Sequence, residues 1–545
     1  MNNHDSGRLD AKGWRGIDRR SLFRNLGLMT AAGMLPVTDA LSAPATPEHN
    51  IYESIGVRPL INCQGVITII GGSLMLPEVR RAMDEASNWY VHLDELAEAV
   101  GKRLAELTRA EWGIVTAGCA AAMTHATSAC IAGADPEKLQ RLPDLTGLKN
   151  EVIAPRYCRN VYDHAVRMLG VKMVEVENKQ EYEAAFNQRT AMVYMYKPNQ
   201  DFGLEVLAPI ANQKGVPVLV DCAAERLTIP NEHLKRGATL VAYSGGKLLR
   251  GPQCAGLLLG RKDLVRAAWF NSAPHHAFGR PMKVGKEEMM GMLAAVEMWT
   301  KRDHAAEWKQ WQSWLEHIQA RISKIPGVTT EIIIPDTSVQ PCPRLRVQWD
   351  DGHLGITAGQ LEKLLFEGDP RVVLPAGSES GPEDNHSTIT LLPVMMSPGD
   401  ETAVAERLYS LLSKPPKTAL PPAANGPGAA VAGQWNAHLE FVAGSADHTF
   451  VFEQQGNEIR GTHKGSFLSG DLHGFVEGDT IRFKTSQKYE GSYLNYQFTG
   501  RVLGNTIQGE VTEMSTITAG EYGQARWSAQ KHLYIEPIGP PLNGA

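Results

Sequence analysis

The spacing of apolar positions changes at about residue 415. Before that point, stretches with helical periodicity alternate with short apolar runs. The periodicity is clearest in one series of residues: Leu93, Leu96, Ala97, Val100, Leu104 and Leu107. The strand-like runs are residues 113–116, 152–154, 173–176, 191–196, 216–220, 239–243 and 255–259. Short apolar strands separated by helices predict an α/β fold with a mostly parallel sheet covered on both faces.

A smaller α/β portion follows this region. Residues 289–322 look helical and contain several tryptophans, strands are indicated near 328–334 and 344–348, and a last helix near 401–412. Residues 415–433 then carry five prolines and three glycines without apolar periodicity, which is typical of a linker.

The remainder of the chain has the pattern of short strands joined by tight turns. Residues 474–481 and 500–507 nearly repeat each other, and each contains glycine followed by Asp or Asn between alternating strands. Such pairs favour hairpin turns with positive φ, so we expect a small antiparallel barrel or sandwich. Tyr489, Tyr493 and Tyr496 are either a binding face or ordinary sheet surface, and the second interpretation is favoured.

The N-terminus has the layout of an export signal. A basic start containing Arg19-Arg20 precedes an apolar run over residues 26–37 and the small-residue site Ala43-Pro44-Ala45. The arginine pair resembles a twin-arginine signal, and the apolar run is too short for a stable membrane span. We therefore expect an exported, periplasmic or extracytoplasmic protein, the alternative being a disordered basic tail.

These patterns predict five segments. They are a signal peptide over residues 1–45, a large domain with an N-terminal arm over 46–300, a small α/β domain over 301–414, a linker over 415–433 and an all-β accessory domain over 434–545.

Composition excludes several classes of protein. Hydrophobic residues make up 43% of the chain and charged residues 21%, so the chain is not intrinsically disordered. The net charge of −6 gives no general attraction to nucleic acid, and we expect no nucleic-acid partner. The seven cysteines include no CxxC pair, so neither a disulfide framework nor a metal site is expected.

Three local patterns carry candidate chemistry. An apolar strand runs into Ser244-Gly245-Gly246-Lys247, where a lysine at a strand end can form a Schiff base with an aldehyde cofactor. Another strand ends in Asp221, an acid placed to hold a pyridinium nitrogen protonated. A third turns through Gly118 into a helix whose N–H groups suit a phosphate. Taken alone, each pattern has another explanation. The lysine turn could be an ordinary surface turn, Asp221 could cap a helix, and the Gly118 turn could reflect tight packing of a helix on the sheet. In this order, with the lysine 26 residues after the aspartate, they predict a fold-type I enzyme that uses pyridoxal 5′-phosphate (PLP).

With these motifs in place, the chain resembles the selenocysteine synthase (L-seryl-tRNA selenium transferase)-like family of PLP enzymes, nearest to its D-glucosaminate-6-phosphate ammonia-lyase-like relatives. The matching pieces are residues 51–62, 71–75, 159–163, 244–253 and 280–286, with Gly118 and Asp221. The resemblance covers about residues 51–412. It implies an aspartate-aminotransferase-like large domain, a small domain, and a homodimer or higher homo-oligomer with active sites at subunit interfaces.

The resemblance also implies roles for individual residues. Lys247 would hold the cofactor and move the proton at the substrate Cα, and Asp221 would pair with the ring nitrogen. The phosphate would be bound by four residues: Gly118, Cys119, Ala120 and Ser244. Cys119 departs from the family pattern, in which Ala or Ser is expected. Either His164 or Tyr162 would stack on the ring, unless both merely pack beneath a loop.

Arg280 and Lys283 are the candidates for binding the substrate anion, although Lys283 stands where the transferases have a second arginine and cannot give its bidentate grip. The expected substrate is an amino acid or amino-sugar acid, and the expected reaction is α,β-elimination of the ammonia-lyase type. Selenium transfer, transamination, racemisation and a catalytically silent binding protein are the alternatives. Export and the acidic charge argue against a tRNA substrate.

Overall fold

The computed structural model describes residues 50–196, 201–379, 386–416, 427–514 and 525–533. The predicted signal over residues 1–45 lies outside the described residues, as does part of the predicted linker. Residues 50–59 belong to a separate unit that carries a 3-10 helix, Glu53–Ile55. Within the described part of the chain, no helix has the length and apolar character needed to cross a membrane.

The α/β region contains strands of two to seven residues. In chain order the strands are β1 (Ile61–Asn62), β2 (Trp112–Thr116), β3 (Glu151–Pro155), β4 (Lys172–Val176), β5 (Thr190–Met195), β6 (Val218–Asp221), β7 (Leu240–Ser244), β8 (Gly256–Gly260), β9 (Val328–Ile333), β10 (Arg344–Asp350), β11 (Val372–Val373), β12 (Ser378–Glu379) and β13 (His386–Leu391).

Helices separate most of these strands. They are α1 (Pro77–Ser87), α2 (Leu93–Thr108), α3 (Gly118–Ala132), α4 (Pro136–Arg141), α5 (His164–Arg167), α6 (Lys179–Ala185), α7 (Leu204–Gln213), α8 (Glu232–Lys235), α9 (Lys262–Phe270), α10 (Lys286–Trp299), α11 (His304–Ile322), α12 (Asp351–Leu354), α13 (Ala358–Glu367) and α14 (Asp400–Ser413). Short 3-10 helices lie at Thr68–Ile70, Arg156–Cys158 and Val161–Asp163.

A seven-stranded sheet forms the centre of the α/β region, in the order β2-β8-β7-β6-β5-β3-β4. All neighbouring strands are parallel except β8, which runs antiparallel to β2 and β7. Every residue of β2, β3, β5, β6 and β8 is buried, because helices cover both faces of the sheet. The seven predicted strands are confirmed to within two residues at each end.

A second core surrounds the four-stranded antiparallel sheet β12-β13-β10-β9. Its largest fully buried side chain is Trp349 of β10. The prediction of one helical stretch over 289–322 was wrong in one respect, since α10 ends at Trp299 and α11 begins at His304. The physical reason is Asp303, whose side chain accepts the N–H groups of Ala305 and Ala306 and so caps a new helix.

The C-terminal region is a closed eight-stranded antiparallel barrel, which decides between the predicted barrel and sandwich. Each strand pairs with the next, and the first pairs with the last. The strands are β14 (Gly433–Glu440), β15 (Ser445–Gln455), β16 (Glu458–Lys464), β17 (Ser469–Glu477), β18 (Thr480–Tyr489), β19 (Ser492–Leu503), β20 (Thr506–Met514) and β21 (Ala525–Lys531).

The barrel has its own aromatic core. Phe450, Phe483, Phe498 and Trp527 lie with ring centroids 4.7 to 5.7 Å apart, and burial alternates along β18 as the pleat requires. The two predicted hairpin turns have positive φ at glycine, as expected: 59° at Gly478 and 63° at Gly504.

Candidate active site

Asp221 lies at the carboxyl end of the central strand β6 and is fully buried. Its carboxylate accepts the N–H of Ala223 at 3.0 Å, the thiol of Cys119 at 3.5 Å and the hydroxyl of Tyr194 at 3.4 Å. Burial raises the pKa of the Asp221 carboxyl above its usual range, and the Ala223 N–H and the charge of Lys247 oppose that rise. An acid so placed is stabilised in its charged form when a cation binds beside it.

Lys247 follows β7, the strand next to β6, so it stands at the same edge of the sheet as Asp221. Its charge acts on both Asp221 and Cys119 and opposes the rise in pKa that burial causes at each. The Nζ atom lies 5.8 Å from the centroid of the Tyr162 ring. Gly246 in the same turn has no room for a side chain, because a Cβ there would lie 2.5 Å from the Cα of Gln253. The turn before Lys247 therefore requires glycine at position 246.

Gly118 begins helix α3 with a φ of 85°, and a Cβ at this position would meet no atom within 4 Å. No side chain caps this end of the helix, so its first N–H groups face the open space. Beneath the turn, Gly256 of β8 packs so closely that a Cβ would lie 2.6 Å from the Cys119 N. Uncapped N–H groups at a helix N-terminus suit a phosphate, and the residues present therefore fit PLP.

The other three residues predicted to bind the cofactor phosphate are Ala120, Ser244 and Cys119. Ala120 is exposed, and Ser244 is half-buried and donates its N–H to the Ala223 carbonyl at 3.3 Å. Cys119 is buried, and its thiol faces Asp221 rather than the open space. Burial raises the pKa of the Cys119 thiol well above its usual value, so it is a neutral donor to the carboxylate.

The structure places the Tyr162 ring close to Lys247, and the stacking role predicted for His164 or Tyr162 stays a prediction. His164 is an exposed residue at the start of α5, and its ring stacks on no other aromatic ring among the described residues. Tyr162 belongs to the preceding 3-10 helix, whose N-cap Asn160 accepts the Tyr162 N–H at 2.7 Å.

Sequence reasoning missed the hydrogen-bonded pair Asn160 and Tyr194. The Asn160 amide donates to the Tyr194 hydroxyl at 3.3 Å, and that hydroxyl donates to Asp221. One feature of the sequence could have indicated this pair. Tyr194 places a hydroxyl group inside the apolar strand β5, which lies next to the strand that ends in Asp221.

Arg280 and Lys283 lie on an exposed segment after Gly279. Gly279 packs on His125, which is about two turns, or roughly 10 Å, along α3 from Gly118. Within one chain the segment thus flanks the helix that carries the phosphate turn. The role predicted for these two cations at a subunit interface stays a prediction.

A cavity of about 440 Å³ lies beside the Lys247 turn and is lined by Leu248 and Arg250. Tryptophans from α10 and α11 form much of its wall: Trp299, Trp308, Trp311 and Trp314. Arg302 in this wall forms a bidentate ion pair with Glu307. Burial alone favours the neutral form of Glu307, but hydrogen bonds from His304 and Arg302 lower its pKa to about 2.

Two other arginines of the cavity, Arg226 and Arg250, form no ion pair with an acidic side chain of the described chain. Arg250 donates from Nε to the Leu74 carbonyl at 3.0 Å. An apolar cavity with uncompensated guanidinium groups is suited to a small molecule that bears an acid group.

Cys222, Glu225 and His233 form a further buried cluster that sequence reasoning did not find. Their ligand atoms lie within 4.8 Å of one another. Glu225 is hydrogen-bonded to His233 at 2.7 Å and to Ser338 at 3.0 Å. Burial raises the pKa of the Cys222 thiol well above its usual value. We interpret the cluster as a hydrogen-bonded support beneath the Asp221 loop.

Comparison with known proteins identifies the family. The profile of the L-seryl-tRNA selenium transferase family matches residues 164–311, which include Asp221 and Lys247. A 5′-C-glycyluridine monooxygenase-decarboxylase from a Streptomyces species is 32% identical over 384 residues, which cover 67% of this chain and 93% of that protein. The chain belongs to the L-seryl-tRNA selenium transferase-like family.

Two further likenesses agree on the fold. The D-glucosaminate-6-phosphate ammonia lyase of Salmonella typhimurium is 30% identical over 338 residues, covering 59% of this chain and 88% of that protein. The solved structure of a D-glucosaminate-6-phosphate ammonia-lyase superposes with a TM-score of 0.59 at 27% identity and covers 67% of this chain and 98% of its own.

Membership confirms three predictions. The chain has the fold of fold-type I PLP enzymes, it is an enzyme of the lyase or transferase kind, and its cofactor is PLP. The barrel lies outside residues 164–311, so the family profile gives it no role.

Proposed function

We propose that this protein is an exported PLP-dependent enzyme that eliminates a β-substituent and ammonia from an amino acid or amino-sugar acid. The observation that carries the proposal is the placement of Lys247 and Asp221 at one sheet edge, with the open helix N-terminus at Gly118. The 30% identity to an ammonia lyase over 88% of its length supports the choice of reaction.

Bound PLP supplies an aldehyde for the substrate amine and an electron sink for the pair left when the Cα–H bond breaks. Lys247 accepts the Cα proton on Nζ, since it stands at the sheet edge beside Asp221. A β-hydroxyl would leave with its bonding electrons and take up the proton held by Lys247, so that one water forms and an enamine is released. Its hydrolysis yields a 2-oxo acid and ammonia, and the water lost earlier balances the water consumed.

Asp221 holds the ring nitrogen in its protonated form, because its carboxylate is buried and gains a cationic partner. The Cys119 thiol and the Tyr194 hydroxyl fix the orientation of that carboxylate by donating to its two oxygens. The N–H groups that follow Gly118 bind the phosphate and so set the position of the ring.

The acid group of the substrate binds to arginine. We propose Arg250 and Arg226 in the 440 Å³ cavity for this role, beside the interface candidates Arg280 and Lys283. The matched variants Arg250→Ala and Arg280→Ala discriminate between the two locations. The KM for an amino acid substrate rises in the first variant if the cavity holds the acid group, and in the second if the interface does.

The test of the reaction is a screen of 2-amino-3-hydroxy acids and amino-sugar acids with the PLP-loaded protein. We expect equimolar ammonia and 2-oxo acid, formed equally well without oxygen. Release of ammonia should be absent in Lys247→Ala. Transfer of the amino group to an added 2-oxo acid, without free ammonia, would instead show a transaminase.

A second candidate is oxidative decarboxylation, which the 32% identity to a monooxygenase-decarboxylase over 93% of its length favours. It shares Lys247 and Asp221 but consumes molecular oxygen and releases carbon dioxide. An oxygen electrode and trapping of carbon dioxide separate it from elimination, with the same substrates in sealed vessels.

The location and assembly of the protein are also proposals. The Arg19-Arg20 signal supports export, and the flanking segment with Arg280 and Lys283 supports a homodimer that completes the site. Replacing Arg19 and Arg20 by lysines should keep the protein in the cytoplasm. Sedimentation of the purified protein should give twice the mass of one chain.

A further inference from the structure

The turn between β18 and β19 of the barrel contacts the α/β region. Glu490 in this turn forms an ion pair with Arg159. Gly491 packs on the backbone of Asn160, and a Cβ on Gly491 would lie 2.5 Å from the Asn160 carbonyl oxygen. The contacted residues, 159–163, form what we call the docking loop.

The hairpin contact completes a buried ion-pair network. The Arg159 side chain is only 5% exposed, and it pairs with Asp163 at 2.6 Å and with Glu175 as well as with the hairpin. Fully buried Asp163 also pairs with Arg167 at 2.7 Å, and the Tyr489 ring lies 5.8 Å from the Arg167 guanidinium. Removing one partner from a buried network leaves a charge that the protein must compensate elsewhere.

The docking loop also reaches the cofactor site at two points. Tyr162 of the loop lies 5.8 Å from the Lys247 Nζ. Asn160 of the loop donates to Tyr194, and Tyr194 donates to Asp221. The loop that the barrel contacts is therefore the loop that borders the catalytic lysine and supports the partner of the ring nitrogen.

We propose that the barrel hairpin is a positioning element of the active site, which orders the docking loop so that Tyr162 and Asn160 are held beside Lys247 and Asp221. Glu490 has a φ of 51°, a conformation uncommon for a residue with a side chain, and it makes the ion pair to Arg159 from that position. Accidental contact between two neighbouring domains would leave the cofactor site unchanged when the hairpin is altered, so the two interpretations are separable. The proposal concerns the cofactor site and is independent of which reaction the enzyme catalyses.

Two variants remove the contact. Gly491→Ala places a methyl group against the Asn160 backbone, and Glu490→Gln removes the charge that pairs with Arg159. The control for the first is Gly504→Ala, in another hairpin turn of the same barrel, where a Cβ meets nothing within 4 Å but the φ of 63° adds backbone strain. This control therefore reports what a general loss of barrel stability does to the cofactor site. The control for the second is Glu477→Gln, whose exposed ion pair with Arg482 lies at the other end of the barrel.

The experiment combines hydrogen exchange of residues 159–163 with the properties of bound PLP in the full-length protein. In Gly491→Ala and Glu490→Gln we expect faster exchange in the docking loop and about tenfold weaker PLP binding. We also expect a shifted pH midpoint of the visible absorption of the cofactor, because Asn160 and Tyr194 no longer hold Asp221 in place. Both controls should match the parent.

Each remaining outcome overturns the proposal. Unchanged exchange in the docking loop would show that the hairpin does not order it. Faster exchange with unaltered PLP affinity and absorption would show that the loop, although loosened, does not position the cofactor site. Equal effects in the controls would show a general loss of barrel stability instead of a specific contact.

Discussion

Replacing Gly118 by alanine should separate the binding of the cofactor phosphate from the stability of the helix that binds it. Gly118 has a φ of 85°, and its missing side chain leaves open space above the first N–H groups of α3. Alanine adds a methyl group to the space that we assign to the phosphate. It also adds the strain of a left-handed backbone, which is about 1–2 kcal/mol.

The two effects have different magnitudes in different assays. A hydrogen bond from N–H to a charged group contributes about 1.5–3 kcal/mol, so losing one weakens PLP binding by about 10- to 100-fold. The strain lowers the melting temperature of the cofactor-free protein by roughly 2–8 °C. PLP affinity is measured by titration of the cofactor-free protein, and stability by thermal unfolding in the absence of PLP.

Gly133 provides the matched control, because it lies at the opposite end of the same helix. It too has a positive φ, of 60°, and open space where a Cβ would lie. Gly133→Ala should lower the melting temperature at least as much as Gly118→Ala and leave the affinity for PLP unchanged. Equal PLP affinity in the two variants would refute the placement of the phosphate at the N-terminus of α3.

Three further predictions concern single residues. Lys247→Ala should lose the visible absorption band of bound PLP, and retention of the band would exclude this lysine as the attachment site. Burial raises the pKa of Asp221, so the stability that the protonated carboxyl contributes is present at acid pH and is lost as pH rises through the raised pKa. Without PLP, Asp221→Asn should therefore lack the fall in melting temperature that the parent shows as pH rises through that pKa. The variant should also gain less melting temperature from added PLP. Burial, followed by repulsion from His448, lowers the pKa of His463 in the barrel to about 3, so acid favours the unfolded state below its ordinary value near 6.5. His463→Gln should flatten the fall in stability between pH 6 and 4, and an unaltered pH profile would contradict the assignment.

Much of the α/β region could be predicted from the sequence because each buried strand is a short apolar run bounded by turn residues. The same runs located Asp221 and Lys247 at or just after strand ends, and the structure places both at one sheet edge. The glycines of the two barrel hairpins were predictable because their turns require positive φ.

Contacts between distant segments could not be predicted. Glu490 and Arg159 are 331 residues apart in the chain, and each alone has the pattern of an ordinary surface charge. The position of Tyr162 near Lys247 also depends on the path of a loop whose course is set by Asn160 and the ion pairs around Asp163. The arginines of the 440 Å³ cavity come from separate segments whose meeting no periodicity encodes.

The pairing of β14 with β21 brings the two ends of the barrel chain together, while the Glu490 turn lies at the other end. The chain therefore joins the barrel at one end and the docking loop meets it at the other. A segment on the same chain as its partner has an effective concentration that reaches about the millimolar range. A contact too weak to hold two separate proteins can consequently stay formed here. An isolated barrel added in solution should therefore bind the α/β region poorly. Because the two regions share one chain, even a small hairpin can stay in contact with the docking loop.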